Sequence, residues 1–257
     1  MTTDSFLHLD GSYYGLTLFF VGLASGIIGA IGGSGGLIIL PFMILSGYAP
    51  AMAIGTARFA SIPSWIIAAK KYNNAKQIRW EDIPLLTILA IIGGAIGTYL
   101  IIDIDQNYVY PIVGTMLMLI SPLALLKKDF GLKNIDHNKN RRVTGFTLYF
   151  LTLIYAGFFG GGASVLIIFI LVTFLGYRFL EAHATDTTAW IAMSVASSAI
   201  FIWHDQVDYT NALVIFISMA IGSYLGSHIA IKKGDKWVRI VVCSFALIVG
   251  IKLLFFP

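Results

Sequence analysis

The chain has 257 residues, 58% of them hydrophobic and 12% charged, with a mean hydropathy of +0.84. A water-soluble core of this size cannot hide so much apolar surface, so the chain reads as an all-α integral membrane protein. Its net charge of +4 does not imply a nucleic-acid partner, because all basic residues except Arg58 and Lys252 fall in loops expected on one side of the membrane, a topology signal. Cys243 is the single cysteine, which excludes an intrachain disulfide and a cysteine metal site.

In chain order, residues 1–10 carry Asp4 and Asp10 and no basic residue, so no cleavable signal peptide is expected and the first apolar stretch should remain. That stretch, 13–46, is too long for one crossing and is interrupted by glycine. A bilayer core of about 30 Å needs roughly 20 apolar residues, and segments 51–69, 83–102 and 108–126 meet that measure. A polar linker, 129–142, follows. The stretch 143–176 repeats the over-long, glycine-broken pattern, and 182–203, 212–231 and 238–256 complete the set.

The second half repeats the first at an offset of about 129 positions: Gly55-Thr56 meets Ala184-Thr185, Gln77-Ile78 meets Gln206-Val207, and Gly97 meets Gly226. The loop charges are swapped between copies. Lys70, Lys71, Lys76 and Arg79 stand where the second copy has Asp205 and Asp208, whereas Asp103 and Asp105 stand where it has Lys232, Lys233, Lys236 and Arg239. Cytoplasmic loops collect Lys and Arg, so the copies are expected upside down relative to each other, an architecture of secondary transporters. The reading is a first repeat over 1–128, a cytoplasmic linker and a second, inverted repeat over 143–257. Each consists of a glycine-tipped helical hairpin plus three transmembrane helices, with both chain termini outside.

The hairpin tips, 29–36 and 157–164, are the first candidate site. Backbone N–H groups opening the second arm of each hairpin suit an anion, and Gly33, Ser34, Gly35, Gly161, Gly162 and Ser164 lie there. Close packing is the competing explanation for small residues at four-residue spacing, and it accounts for Gly22, Gly26, Gly93, Gly97, Gly222 and Gly226. Those faces would serve a homodimer as readily as an internal interface. Charged residues inside spans mark a pathway or a pairing. Arg58 follows Thr56, and Asp186 follows Thr185. Arg58 has the donor fork for an oxyanion, and Asp186 would neutralise it or carry a coupling proton; a permanent structural ion pair is the alternative. Thr56 and Thr185 would line a small wet cavity. Trp65, Trp80, Trp203, Tyr209 and Trp237 fit interfacial belts, and no function is read into His183. No nucleotide-binding motif occurs and no cofactor is expected, so transport would run on a gradient.

These residues carry a resemblance. The glycine segments 29–36 and 157–164, each followed by a Gly-Thr or Ala-Thr helix start (Thr56, Thr185), resemble the TauE/SafE family of sulfite and organosulfur-anion exporters over residues 15–255. The resemblance implies a multi-pass carrier of the bacterial inner membrane that exports sulfite or a sulfonate such as sulfoacetate, with the glycine turns and threonine helix starts around the substrate. Arg58 and Asp186 stand where the family pattern leads one to expect small uncharged residues. An anion-selective, channel-like pore is the alternative function. An intramembrane enzyme is disfavoured, because no second acid accompanies Asp186.

Overall fold

The computed structural model describes residues 11–33, 35–104 and 139–255. Ser34, Asp105, the 108–126 segment and residues 129–138 of the linker lie outside them, while 139–142 open α5. The described residues form eight helices and no strand: α1 Gly11–Gly32, α2 Gly36–Leu45, α3 Pro50–Asn74, α4 Ile83–Asp103, α5 Lys139–Phe158, α6 Ala163–Leu175, α7 Phe179–Trp203 and α8 Tyr209–Phe255, the last interrupted by non-helical backbone at Gly234. Four helices are long and apolar enough to cross a bilayer, namely Tyr13–Gly32, Pro50–Asn74, Ile83–Asp103 and Tyr209–Gly234, and α6 and α7 form a further apolar pair bent by 118°.

Both over-long stretches double back. In the first, Gly33 N–H bonds Gly29 O at 2.6 Å and Ser25 Oγ bonds Gly35 O at 2.8 Å, while Tyr14 near the start of α1 stacks on Phe42 near the end of α2 (6.0 Å). In the second, Tyr155 donates to Gly161 O at 2.6 Å across the turn, and Arg141 near the start of α5 donates to Thr173 O at 2.5 Å near the end of α6. Each stretch therefore returns to the end it left, as hairpins must. The turns need left-handed backbone, which Gly33 (φ 72°) and Gly162 (φ 78°) supply without a Cβ penalty.

The same local devices recur at the repeat offset. Lys76 and Asp205 are the positive-φ residues other than glycine among the described residues (56° and 54°), and behind each the next amide returns to its helix, Gln77 N to Tyr72 O and Gln206 N to Phe201 O. This is the left-handed termination that closes a helix end. Helices α3 and α7 start 129 residues apart, both run 25 residues, and they pack antiparallel. Gly55 faces Phe201, Trp65 faces Trp190 at 5.3 Å, and Tyr72 faces His183 at 5.7 Å. Antiparallel packing of equivalent helices is compatible with inverted repeats.

Glycine faces bring the helices into contact within the chain. A Cβ on Gly22 or Gly26 would collide with Ser218 or Met219 of α8, and one on Gly222 or Gly226 with Leu23 or Ile27 of α1. Gly93 and Gly97 meet Leu153, Ile154 and Phe158 of α5 in the same way. Small residues let backbones approach where no lipid can intervene. These faces are thus spent on internal interfaces. Two apolar clusters fill the interior, one around α6 and α7 and one around α2 and α3.

Candidate functional site

The two hairpin tips meet inside the protein. Gly33 lies so close to Ser164 that an added Cβ would overlap the serine side chain, and Gly36 approaches Gly161. Beside this contact lies a small cavity of about 60 Å³, several times the roughly 10–15 Å³ that one ordered water requires. Its wall combines the first tip (Gly33, Gly35, Gly36), Gly160 of the second, and Arg58, Ser61, Ser64 and Trp65 of α3. Trp190 of α7 and Met219 and Ser223 of α8 close it.

Arg58 is 6% exposed. Its Nη2 donates to Ala156 O at 2.5 Å, and its guanidinium lies 5.2 Å over the Trp190 ring. Ala156 belongs to the last turn of α5, whose terminal carbonyls have no partner within the helix and carry the negative end of its dipole. A cation fits that position. Gly160 makes room for it, since a Cβ there would come 2.9 Å from Arg58 Nη2. The corresponding carbonyl at the end of α1, Ala30 O, is met by neutral groups instead: it accepts from Tyr72 OH and from His183 Nε2 at 3.0 Å. Because a carbonyl only accepts, Nε2 carries the His183 proton, and Nδ1 is left buried without a partner.

The expected ion pair between Arg58 and Asp186 is absent. The salt bridges among the described residues are Arg79–Glu181 at 3.0 Å and Arg142–Asp82. Asp186, 1% exposed, accepts from Tyr149 OH at 3.0 Å and does not line the cavity. Arg58 has no carboxylate partner among the described residues. Two more buried polar atoms of the lining residues, Ser64 Oγ and Trp190 Nε1, have no hydrogen-bond partner. Native proteins leave few such groups unpaired. One unpaired cation, one orphan hydroxyl and the uncapped start of α2 give the cavity the chemistry of an anion site.

The other residues expected here have different places. Gly33, Gly35 and Arg58 line the cavity, whereas Gly161 and Ser164 form the contact between tips and Gly162 supplies the turn before α6. Thr56 and Thr185 are fully buried but hold loops: Thr56 Oγ1 accepts from Asp208 N and Thr185 Oγ1 from Arg79 N, each at 3.0 Å. These bonds are equivalent under the 129-residue offset and each joins one half of the chain to the other. At the end near Thr56, Tyr48 OH also donates to Asp208 Oδ2 at 2.6 Å; at the end near Thr185, Tyr177 OH donates to Asp82 Oδ2 at 2.6 Å. Sequence reasoning missed Ser61, Ser64, Trp65 and Trp190. Trp65 is no interfacial anchor but a cavity wall, bonded to Ser61 Oγ at 3.1 Å. The spacing 58, 61, 65 on one helical face was the signal available.

The sulfite exporter TauE/SafE family matches residues 18–253. The chain is 28% identical over 237 residues to a "probable membrane transporter protein" of Haemophilus influenzae, covering 90% of this chain and 91% of the relative. It is 24% identical to the "probable membrane transporter protein YfcA" of Escherichia coli K12 (93% and 88% covered) and 24% identical to the "probable membrane transporter protein MJ0441" of Methanocaldococcus jannaschii (92% and 94%). No solved structure gives a significant match. With a family match over nearly its whole length and several helices long and apolar enough to cross a bilayer, the chain belongs to the sulfite exporter TauE/SafE family of multi-pass membrane transporters.

Proposed function

We propose that the protein is a secondary carrier of the inner membrane that exports a small sulfur oxyanion, sulfite or an organosulfonate such as sulfoacetate, by alternating access around the cavity between the hairpin tips. The observation that carries this reading is Arg58: a buried guanidinium held at a helix C-terminus, facing a cavity, with no carboxylate partner among the described residues. An unpaired buried charge is costly, and an anion arriving from solvent supplies the missing partner. In this reading the Arg58 fork binds the oxyanion, Ser64 Oγ and the amides at Gly35 and Gly36 complete its hydrogen bonds, and the aromatic wall of Trp65 and Trp190 excludes water. A proton is the coupling ion. Rocking of one half against the other would break the Tyr48–Asp208 and Tyr177–Asp82 contacts in turn.

The test is thermal stabilisation of the purified chain by sulfite, sulfoacetate, thiosulfate, sulfate or chloride, with Arg58→Ala alongside. A ligand at 100 times its Kd stabilises the folded state by about 2.7 kcal/mol. Selective stabilisation by a sulfur anion, lost in Arg58→Ala, is expected, together with saturable counterflow in proteoliposomes. Currents of channel magnitude, or stabilisation that survives Arg58→Ala, would overturn it.

A further inference from the structure

Of the charged side chains buried among the described residues, Asp82 is paired with Arg142, which leaves Arg58 and Asp186 without an ion-pair partner. Trp190 connects their surroundings: it carries the Arg58 guanidinium 5.2 Å above its ring and lies one helical turn beyond Asp186 on α7, with its own Nε1 buried and unpartnered. Asp186 thus sits behind the cavity wall while Arg58 sits in it.

We propose that Asp186 is a proton-binding site linked to occupancy at Arg58, so that one anion bound is accompanied by one proton taken up. With the cavity empty, Arg58 favours the ionised carboxylate across Trp190. An anion on the guanidinium cancels that field, and an isolated carboxylate in the core then takes a proton from solvent. The net charge of the core is the same before and after: guanidinium with carboxylate, then guanidinium with anion and a neutral carboxyl. A monoanion and a proton consequently move together without net charge. Linkage is reciprocal, so protonation of Asp186 tightens anion binding by the same factor, within the roughly 5–150-fold range usual for coupled sites.

The surroundings of Asp186 hold few competitors. Tyr149 is the titratable group that α5 presents to it. From α3 come Arg58 and Trp65, beyond Trp190. Helix α6 has no ionisable residue. In α4, Tyr99 packs on His204 at the far end of α7 and Asp103 closes the helix. In α8, Tyr224 takes Lys71 at an exposed position. His183, three residues earlier on α7, is turned to Ala30 O.

This inference rests on Arg58 being the anion site, and infrared difference spectroscopy of the purified chain separates the two. Sulfite added at pH 7 should produce a protonated-carboxyl C=O band that is absent in Asp186→Asn and displaced in Asp186→Glu; the second variant serves if the first does not fold. Since the band reports Asp186 itself, the titration of sulfite does not enter. Arg58→Gln should show the band without any anion. If sulfite stabilises the protein in an Arg58-dependent way yet no band appears, the proton linkage is overturned and the anion site stands. If sulfite does not bind, the anion reading falls, and the Arg58→Gln spectrum alone decides the linkage: a band supports it, its absence ends it.

Discussion

The contact between the hairpin tips is best tested by Gly33→Ala. Gly33 has φ 72°, and a Cβ there would overlap the Ser164 side chain. The left-handed conformation costs a non-glycine residue about 1–2 kcal/mol, and forcing a methyl against a packed neighbour costs about 1–3 kcal/mol more, for a sum of roughly 2–5 kcal/mol. The two parts separate in a double-mutant cycle. Ser164→Gly opens the space, so Gly33→Ala in that background should keep the backbone cost and lose the collision. On its own Ser164→Gly should cost no more than about 1 kcal/mol, the penalty for glycine in a helix. Thermal unfolding in detergent reads the outcome, with roughly 2–4 °C per kcal/mol for a chain of this order of size. A coupling of about 1–3 kcal/mol in the relieving direction is expected. Costs that add to within about 0.5 kcal/mol would mean that the tips do not touch, and the cavity between them would lose its basis.

Ser64→Ala should leave the anion-free protein as stable as before, since the lost hydroxyl had no partner, while sulfite-dependent stabilisation weakens about tenfold or more in apparent affinity if that hydroxyl donates to the anion; unchanged affinity would remove Ser64 from the site. Thr56→Val and Thr185→Val should each cost about 1–3 kcal/mol, because each strands a backbone amide of the opposite half, Asp208 N or Arg79 N; thermal unfolding that shows one costly and the other neutral would refute their equivalence. Burial pushes the Asp208 carboxyl up, but hydrogen bonds from Tyr48, from the Asn211 side chain and from the Asn211 and Thr210 amides outweigh it, and the group lies below the ordinary carboxylate range. A depressed folded-state value contributes stability that is present above about pH 4 and lost as pH falls through the lowered value. Asp208→Asn should flatten the acid limb of a Tm-versus-pH profile, and an unchanged limb would argue against the network.

Much of the fold was legible because glycine and turn chemistry leave marks in sequence. Gly33 and Gly162, Gly47 and Gly176, and Lys76 and Asp205 are pairs 129 residues apart that share a positive φ, and an aligned sequence exposes such positions directly. The packing glycines were legible for the same reason, although only the structure could tell an internal interface from a homodimer face. The first repeat boundary, at 128/129, and the role of Ser34 concern residues outside those described and rest on the sequence alone. The Thr56 and Thr185 hydroxyls could not be assigned from sequence, since a loop amide and a substrate oxygen attract the same kind of group.

Arg58 and Asp186 mark where pattern reading fails and what would have corrected it. Both follow the matched threonines, which suggested that inversion would bring them face to face. Their registers differ, however. The position equivalent to Arg58 is Thr187, and the one equivalent to Asp186 is Ala57. One residue along a helix is a rotation of about 100°, so residues one register apart cannot both point at the same axis. Arg58 accordingly reaches the C-terminal carbonyl of α5, while Asp186 turns to Tyr149. A backbone acceptor has no side-chain signature, and so the partner that holds Arg58 in place could not be found by looking for an acid. It is this substitution of a helix end for a carboxylate that holds the guanidinium in the core: a fixed partial charge steadies the cation without neutralising it, as the proposed anion site would require.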